Sequence, residues 1–85
     1  MEKRSLSLRG HRTSVALEPT FWAALESLAN ASETPIASYI ATLDDTRVAK
    51  GPFVGLASYL RQHILQAAID GRLGDMATPT HADDL

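Results

Sequence analysis

The sequence contains no cysteine and no long apolar stretch, and each absence excludes a class of protein. Without cysteine, a disulfide framework, a thiolate zinc site and a cysteine nucleophile are all excluded. No apolar stretch approaches the roughly 20 residues of a membrane span, and residues 1–10 are charged without an apolar segment. We therefore expect neither a membrane span nor a secretory signal, and a cytoplasmic location.

Motifs of catalysis and metal binding are absent as well. There is no glycine-rich phosphate loop, no Gly-x-Ser-x-Gly and no His-Glu-x-x-His. The one acidic pair, Asp44 and Asp45, consists of neighbours that do not face each other on a helix. No two of the three histidines, His11, His63 and His81, are spaced three or four residues apart. We predict no enzyme activity, no cofactor and no metal site.

Composition indicates a small folded module. The 85 residues are 45% hydrophobic and 21% charged, which is typical of a folded chain and not of a disordered one. That length allows one domain at most and lies close to the size below which a chain hardly encloses a core by itself. Such a chain favours a binding function and association with further copies.

Charge is distributed unevenly along the chain, although its total is only −2. Residues 1–16 carry a net +3, residues 17–69 a net −2 and residues 70–85 a net −3. We interpret residues 1–11 as a basic arm, residues 12–71 as the folded domain and residues 72–85 as a flexible acidic tail. Such an arm is typical of a protein that meets a polyanion, although short charged tails also occur without any partner.

Apolar and polar residues alternate between residues 12 and 17, which predicts one short, half-buried strand. One side carries Thr13, Val15 and Leu17, and the other carries Arg12, Ser14 and Ala16. Residues 5–8 alternate too, and Gly10 separates the two stretches. A hairpin and a plain extended arm are both consistent with this pattern, because Arg-Gly-His-Arg is not a strong turn signal.

From Pro19 onward the apolar period changes to about 3.6 residues, which predicts three helices. They run from Pro19 to Asn30, from Thr34-Pro35 to Asp44-Asp45, and from Gly51-Pro52 to Asp70-Gly71. Thr34 is the predicted N-cap of the second helix, and Gly71 follows the third as a C-terminal stop. Residues 46–51 are polar and predicted as a loop, although Val48 and Ala49 allow a longer helix.

A lone strand leaves its backbone groups without sheet partners, and a second copy is the simplest remedy. We therefore predict a mainly α fold with one short N-terminal β-strand, in which two chains form a homodimer. Its two strands pair antiparallel between the subunits, about a two-fold axis. The ribbon exposes two copies of Arg12, Ser14 and Ala16, and a ribbon of this width fits the major groove of DNA.

The stretch from Gly10 to Leu25, GHRTSVALEPTFWAAL, resembles the start of a ribbon-helix-helix domain of the MetJ/Arc type. It is most similar to a subgroup of short bacterial proteins with the same Gly-His-Arg-Thr-Ser stretch, and the likeness continues more loosely through residues 57–61. The resemblance implies an obligate intertwined homodimer with its ribbon in the major groove of double-stranded DNA and a helix N-terminus near a phosphate. This chain departs from the family pattern by an additional helix, since two helices are predicted after the first. Residues 34–36 are the first choice for that anchor and residues 52–53 the second, so which helix is the second helix of the ordinary domain stays open.

The predicted function is therefore sequence-specific DNA binding by a transcription regulator, most simply a repressor. Arg12, Ser14 and Ala16 are the predicted base-reading residues. The predicted phosphate-binding residues are Lys3, Arg4, Arg9, His11, Thr34 and Ile36. The alternative is a protein interaction module, such as an antitoxin-like dimer whose acidic tail or helices bind a partner protein, and a net charge of −2 is low for a DNA-binding protein.

Overall fold

A computed structural model of the chain describes residues 1–51 and 54–73. Two strands precede three helices: β1 (Glu2–Leu8), β2 (His11–Leu17), α1 (Pro19–Ala31), α2 (Ile36–Lys50) and α3 (Leu56–Ile69). Residues 52–53, the second choice for the phosphate anchor, lie outside the described residues, as do residues 74–85 of the predicted tail with His81. Within the described part, no helix is long and apolar enough to cross a membrane.

The N-terminal residues form a hairpin. Strand β1 pairs antiparallel with β2 in a register that runs from Glu2 opposite Leu17 to Leu8 opposite His11. The two residues between the strands, Arg9 and Gly10, both have positive φ, of 52° and 85°. Positive φ at both central residues is the mark of a type I′ turn, whose twist suits a two-residue hairpin. Of the two alternatives, hairpin and extended arm, the structure has the hairpin.

A two-stranded antiparallel ribbon followed by helices confirms the predicted fold, but the predicted pairing is wrong. The described residues contain two strands and not one, and β2 pairs with β1 of its own chain instead of with a second copy. The reason lies in residues 2–8, whose alternation places Leu6 and Leu8 in the core. The predicted basic arm, residues 1–11, contains β1 and the first residue of β2. Since β2 has a partner within the chain, a homodimer needs other support.

The helices cover one face of the hairpin and enclose the core. The largest fully buried side chains are Trp22, Leu17, Leu25, Ile40 and Leu60. Trp22 is 1% exposed, and its Nε1 donates a hydrogen bond of 2.7 Å to the carbonyl oxygen of Glu2. This bond ties the start of β1 to α1 and satisfies the buried indole N–H.

Helix α1 begins at Pro19, as predicted, and ends in a Schellman motif. The N–H of Thr34 donates to the carbonyl oxygen of Ala29, and the N–H of Glu33 donates to that of Asn30, both at 3.0 Å. Glu33 occupies the left-handed position of this motif, with φ 53°. That conformation is unfavourable for a residue with a Cβ atom.

Helix α2 differs from its prediction at both ends. Thr34 is not its N-cap, because the helix begins at Ile36 and the Thr34 hydroxyl donates to the carbonyl oxygen of Ser32 at 2.9 Å. The helix also continues past Asp44 and Asp45 to Lys50, through most of the predicted loop. Both carboxylates are bound by arginines, which offsets their unfavourable position in the C-terminal half of the helix.

Helix α3 begins at Leu56 and not at the predicted Gly51-Pro52, because Gly51 follows the end of α2 and Gly55 precedes the first turn of α3. It ends as predicted, with Gly71 in a left-handed conformation at φ 78°. The N–H of Arg72 donates to the carbonyl oxygen of Ala67 at 2.8 Å and the N–H of Gly71 to that of Ala68 at 3.1 Å, a second Schellman motif. Leu73 is buried in the core. The first two residues of the predicted tail thus belong to the folded body.

Candidate nucleic-acid interface

The hairpin has one face toward the helices and one toward solvent. Side chains alternate between the two faces of a strand, and the register aligns the two strands face by face. The outer face, as we call it, consists of Lys3, Ser5 and Ser7 of β1 and Arg12, Ser14 and Ala16 of β2. All six are exposed except Ala16, which is partly buried.

The pairing across the outer face places a long cation at two opposite corners. Lys3 lies opposite Ala16, Ser5 opposite Ser14, and Ser7 opposite Arg12. Along the ribbon Lys3 and Arg12 are four residues apart, which corresponds to about 13 Å at the rise of an antiparallel strand. Between them the side chains are serine or alanine, so the centre of the face is flat and lined by hydroxyl groups.

No acidic residue lies on the outer face. Its two cations, Lys3 and Arg12, also lack the carboxylate partner that most arginines in the described part of the chain have. Four arginines form ion pairs with carboxylates: Arg4 with Glu2 and Glu26, Arg9 with Asp45, Arg47 with Asp44, and Arg61 with Glu18. Among the described residues, Lys3 and Arg12 make no such pair. The outer face therefore carries two positive charges that no neighbouring carboxylate compensates.

Arg4, a predicted phosphate ligand, lies on the opposite face of the hairpin. Its Nη1 donates to Glu26 Oε2 at 2.8 Å and its Nε to Glu2 Oε2 at 2.6 Å, and its guanidinium carbon lies 4.5 Å from the centre of the Trp22 ring. The hydrogen bonds that Arg4 donates to Glu26 and Glu2 raise the pKa of its guanidinium. Because Nε and Nη1 donate to carboxylates on the helix side, Arg4 is not brought together with Arg12. Its role in phosphate binding stays a prediction.

Arg9 lies at the turn of the hairpin and reaches Asp45 in the C-terminal half of α2. Its Nε donates to Asp45 at 2.8 and 3.1 Å, and this hydrogen bonding raises the pKa of the guanidinium. Beside it is an open cavity of about 230 Å³, lined by Ser7, Arg9, Ala37, Ser38, Ala41 and Thr42. The structure thus brings one predicted phosphate ligand, Arg9, to the N-terminal half of α2.

The remaining predicted phosphate ligands are more scattered. His11 is exposed at the start of β2, opposite Leu8. Ile36 packs its side chain against the core, which leaves only backbone groups of the first helical turn for an anion. Thr34 precedes the helix and its hydroxyl is turned back toward Ser32.

Sequence reasoning missed Ser5 and Ser7 as members of the same face as Arg12. The signal was present in the alternation of residues 5–8, but it became interpretable only with the register of the hairpin. It also missed Ser38 and Thr42, which lie one helical turn apart and line the cavity beside Arg9.

A family model described as a ribbon-helix-helix domain matches residues 1–68, four-fifths of the chain. The chain belongs to the ribbon-helix-helix family. The match spans the hairpin, α1, α2 and all of α3 except its last residue. No curated protein and no solved structure matches the chain.

Ribbon-helix-helix domains are generally DNA-binding transcription regulators or antitoxins and typically form dimers. In this ribbon-helix-helix chain the ribbon is a hairpin within one chain, and a third helix follows the usual two. The finer assignment, to a subgroup with the Gly-His-Arg-Thr-Ser stretch, stays a prediction.

Proposed function

We propose that the chain is a cytoplasmic, homodimeric transcription regulator, most simply a repressor, that binds double-stranded DNA with the outer face of its hairpin in the major groove. The observation that carries this proposal is the outer face itself, with two uncompensated cations and no carboxylate in a chain of net charge −2. Membership of a family whose domains generally bind DNA supports it.

The dimensions and side chains of the outer face suit base recognition. Two strands about 4.8 Å apart fit a groove about 12 Å wide. Arg12 suits bidentate contact with a guanine, Ser14 donates to or accepts from a base edge, and the Ala16 methyl suits a thymine methyl. These contacts specify sequence, whereas contacts to phosphates position the protein.

The phosphate contacts we propose come from Lys3, Arg9, His11 and the backbone N–H groups at the start of α2. Arg9 and that first helical turn border the same cavity, which favours α2 over α3 as the anchoring helix. The Arg9–Asp45 pair is exposed, and an exposed pair contributes little free energy, so a phosphate can replace Asp45 at small cost.

A dimer is supported by an apolar area on the helices, which we call the α3 patch: Phe21, Leu65, Ala68 and Ile69. Leu65 is 61% and Ile69 68% exposed. Leu65, Phe21 and Ala68 line one open groove, and Ile69 follows Leu65 by one helical turn. The Arg61–Glu18 ion pair lies beside the patch and carries both charge signs. Two copies that meet across a two-fold axis therefore bury apolar surface without a net repulsion at the rim.

Substitution of Arg12 tests the proposal. Sites are first selected from randomised duplex DNA, and the affinity for the selected site and for random DNA is then measured for each variant. Arg12→Lys keeps the charge but loses bidentate geometry, so it should lower affinity for the selected site by about 1–3 kcal/mol and change affinity for random DNA little. Lys3→Ala should weaken both kinds of DNA alike and flatten the salt dependence.

Lys50→Ala is the matched control, because Lys50 is an exposed cation at the end of α2 that extends over the Tyr59 ring of α3 and is not part of the outer face. It should bind both DNA pools as the parent does. If Arg12→Lys matches the parent on the selected site, base reading by the ribbon is wrong.

A protein interaction module is the second candidate function, and the exposed side chains of the α3 patch favour it. This second function would be favoured by two results together. The parent protein enriches no DNA sequence, and it forms a stoichiometric complex with another protein that Leu65→Glu does not form.

A further inference from the structure

We propose that an open cavity between the end of α2 and one side of α3 binds a small tetrahedral dianion, either free phosphate or the phosphate group of a metabolite. The cavity has a volume of about 280 Å³ and is lined by Lys50, Tyr59, Gln62, His63 and Gln66. The four lining residues of α3 are spaced three or four residues apart, so they form one face of that helix. The site shares no residue with the outer face of the hairpin, and the proposal does not depend on DNA binding.

The charges around this cavity are mainly positive and lack carboxylate partners. Four arginines of the chain form ion pairs with carboxylates, but among the described residues Lys50 and Arg72 form none. No carboxylate lies on the described wall of the cavity. The acid next to it, Asp70, accepts a hydrogen bond of 3.1 Å from Gln66 Nε2. An anion in the cavity would therefore meet two uncompensated cations.

His63 supplies a proton donor that such an anion can use. Its Nε2 lies 2.8 Å from the Tyr39 hydroxyl, and its Nδ1 forms no hydrogen bond within the described part of the chain. When the hydroxyl donates to Nε2, the neutral imidazole carries its proton on Nδ1, which is then the nitrogen left for a ligand. Burial lowers the pKa of His63, and the nearby charge of Arg72 lowers it further. A dianion beside the ring favours the imidazolium form, so anion binding and protonation should reinforce each other.

The donors around the cavity suit a tetrahedral dianion. Lys50 ends α2, His63 lies in the middle of α3 and Arg72 follows the end of α3, so they approach a ligand from different directions. The Nζ of Lys50 lies 5.9 Å from the centre of the Tyr59 ring, which holds the ammonium group at a wall of the cavity. An ammonium group binds phosphate as a point charge and needs no planar partner. The two uncompensated cations match the charge of about −2 that a phosphate monoester carries.

Sulfate is the probe for the pH dependence, because it is tetrahedral and keeps its two charges at every pH used. Its binding to the full chain is followed by amide NMR chemical shifts at pH 7.5 and pH 5.5. We expect changes at residue 50 and residues 59–66, with an affinity about three- to tenfold higher at the lower pH, where His63 takes up a proton. His63→Gln should lose this increase, because glutamine does not titrate.

Lys50→Gln and Arg72→Gln test the two cations. Both side chains are exposed, so the fold should persist. Each variant should weaken sulfate binding about two- to fivefold, as expected for an exposed charge pair. Lys3→Gln is the matched control, because it removes the other lysine of the chain, which lies on the outer face of the hairpin, and it should leave the changes at residues 59–66 as they are in the parent.

Inorganic phosphate and adenosine monophosphate, compared at pH 7.5, distinguish the two sources of the phosphate group. Tighter binding of the nucleotide at residues 59–66 identifies a phosphorylated metabolite, and equal binding identifies free phosphate. The proposal is overturned if none of the three anions changes these residues, or if Lys50→Gln and Arg72→Gln both bind sulfate as the parent does. Changes caused by a random DNA duplex but not by the small anions would assign the cavity to the DNA backbone and overturn it as well.

Discussion

At the scale of single residues, Arg4 and Arg12 illustrate how the side of the strand on which a cation lies decides whether it forms an ion pair within the chain. Both are arginines in an alternating stretch near the N-terminus, and composition cannot separate them. Arg4 shares its side of β1 with Leu6 and Leu8, so it is carried inward to Trp22 and Glu26. Arg12 has the opposite parity and is left without a carboxylate, which makes it available to an anion.

His63 is the residue from which we expect a pH-dependent stability. Its Nε2 lies 2.8 Å from the hydroxyl of Tyr39, a bond that joins α2 to α3. Burial, with a smaller contribution from Arg72, holds the pKa of His63 below its ordinary 6.5. The folded state therefore binds a proton less readily than the unfolded state. The free energy of unfolding should be highest above about pH 6.5 and fall as the pH decreases through 6.5 toward the lowered pKa of the folded state.

Urea unfolding between pH 7.5 and 5 measures this effect. His63→Gln keeps a hydrogen-bonding side chain beside Tyr39 without a titratable group, so its stability should change less over that range. His11→Gln removes an exposed histidine from the hairpin and should retain the full dependence. Parallel pH curves for the parent and His63→Gln would show that another group is responsible.

At the scale of elements, the hairpin turn depends on the freedom of Gly10. Its φ of 85° is unfavourable for other residues, while a Cβ atom at this position would meet nothing within 4 Å. Gly10→Ala should therefore lower the free energy of unfolding by about 1–2 kcal/mol through backbone strain alone. Thermal and urea unfolding provide the measurement.

Gly55 is the matched control for the turn. It also has open space around its Cα atom, but its φ is −67°, which alanine adopts without strain. Alanine makes the unfolded chain less flexible, which raises the free energy of unfolding, but it is a poorer N-cap residue than glycine, which lowers it. Because the two effects oppose each other, Gly55→Ala should change the free energy of unfolding by less than about 0.5 kcal/mol. Equal losses in the two variants would mean that strain in the turn is not the cause.

The C-terminal end of α1 offers a stabilising substitution. Glu33 is exposed and holds the left-handed position of a Schellman motif, where glycine is the usual residue. Glu33→Gly should relieve about 1–2 kcal/mol of strain and lose part of it to the greater freedom of the unfolded chain, for a net gain of about 0.5–1 kcal/mol in unfolding experiments. Glu33→Gln keeps the strain and should be neutral; an equal gain there would assign the effect to charge.

At the scale of the whole molecule, the α3 patch is where we expect the second copy to bind. Burial of an exposed leucine contributes about 1.5–3 kcal/mol, and a two-fold interface contains the residue twice. Leu65→Glu should therefore weaken self-association at least tenfold in analytical ultracentrifugation, with little change in the far-ultraviolet circular dichroism of the chain.

Val48 provides the comparison, since it is 60% exposed on α2 and lies apart from the α3 patch. Val48→Glu should leave the dissociation constant of the dimer unchanged. If the dimer persists in Leu65→Glu but is lost in Val48→Glu, the interface lies on α2. A parent protein that is monomeric at all concentrations would contradict the proposed dimer.

Local sequence pattern was enough to predict the features that depend on neighbours within one turn or one strand. Alternation predicted the two faces of residues 12–17, the change of period placed the start of α1 at Pro19, and Gly71 marked the end of α3. Each is a local property, because strand pleat, helix period and left-handed glycine act over a few residues.

Three other features could not be predicted from local pattern: which strand pairs with β2, how far α2 extends and which arginines are available to an anion. Those outcomes depend on contacts between residues far apart in the chain, such as Arg9 with Asp45 and Arg4 with Glu26. A period of two residues predicts that a strand has an inner and an outer side. It does not predict which strand pairs with it or which of its charges form ion pairs, because both depend on how distant elements pack.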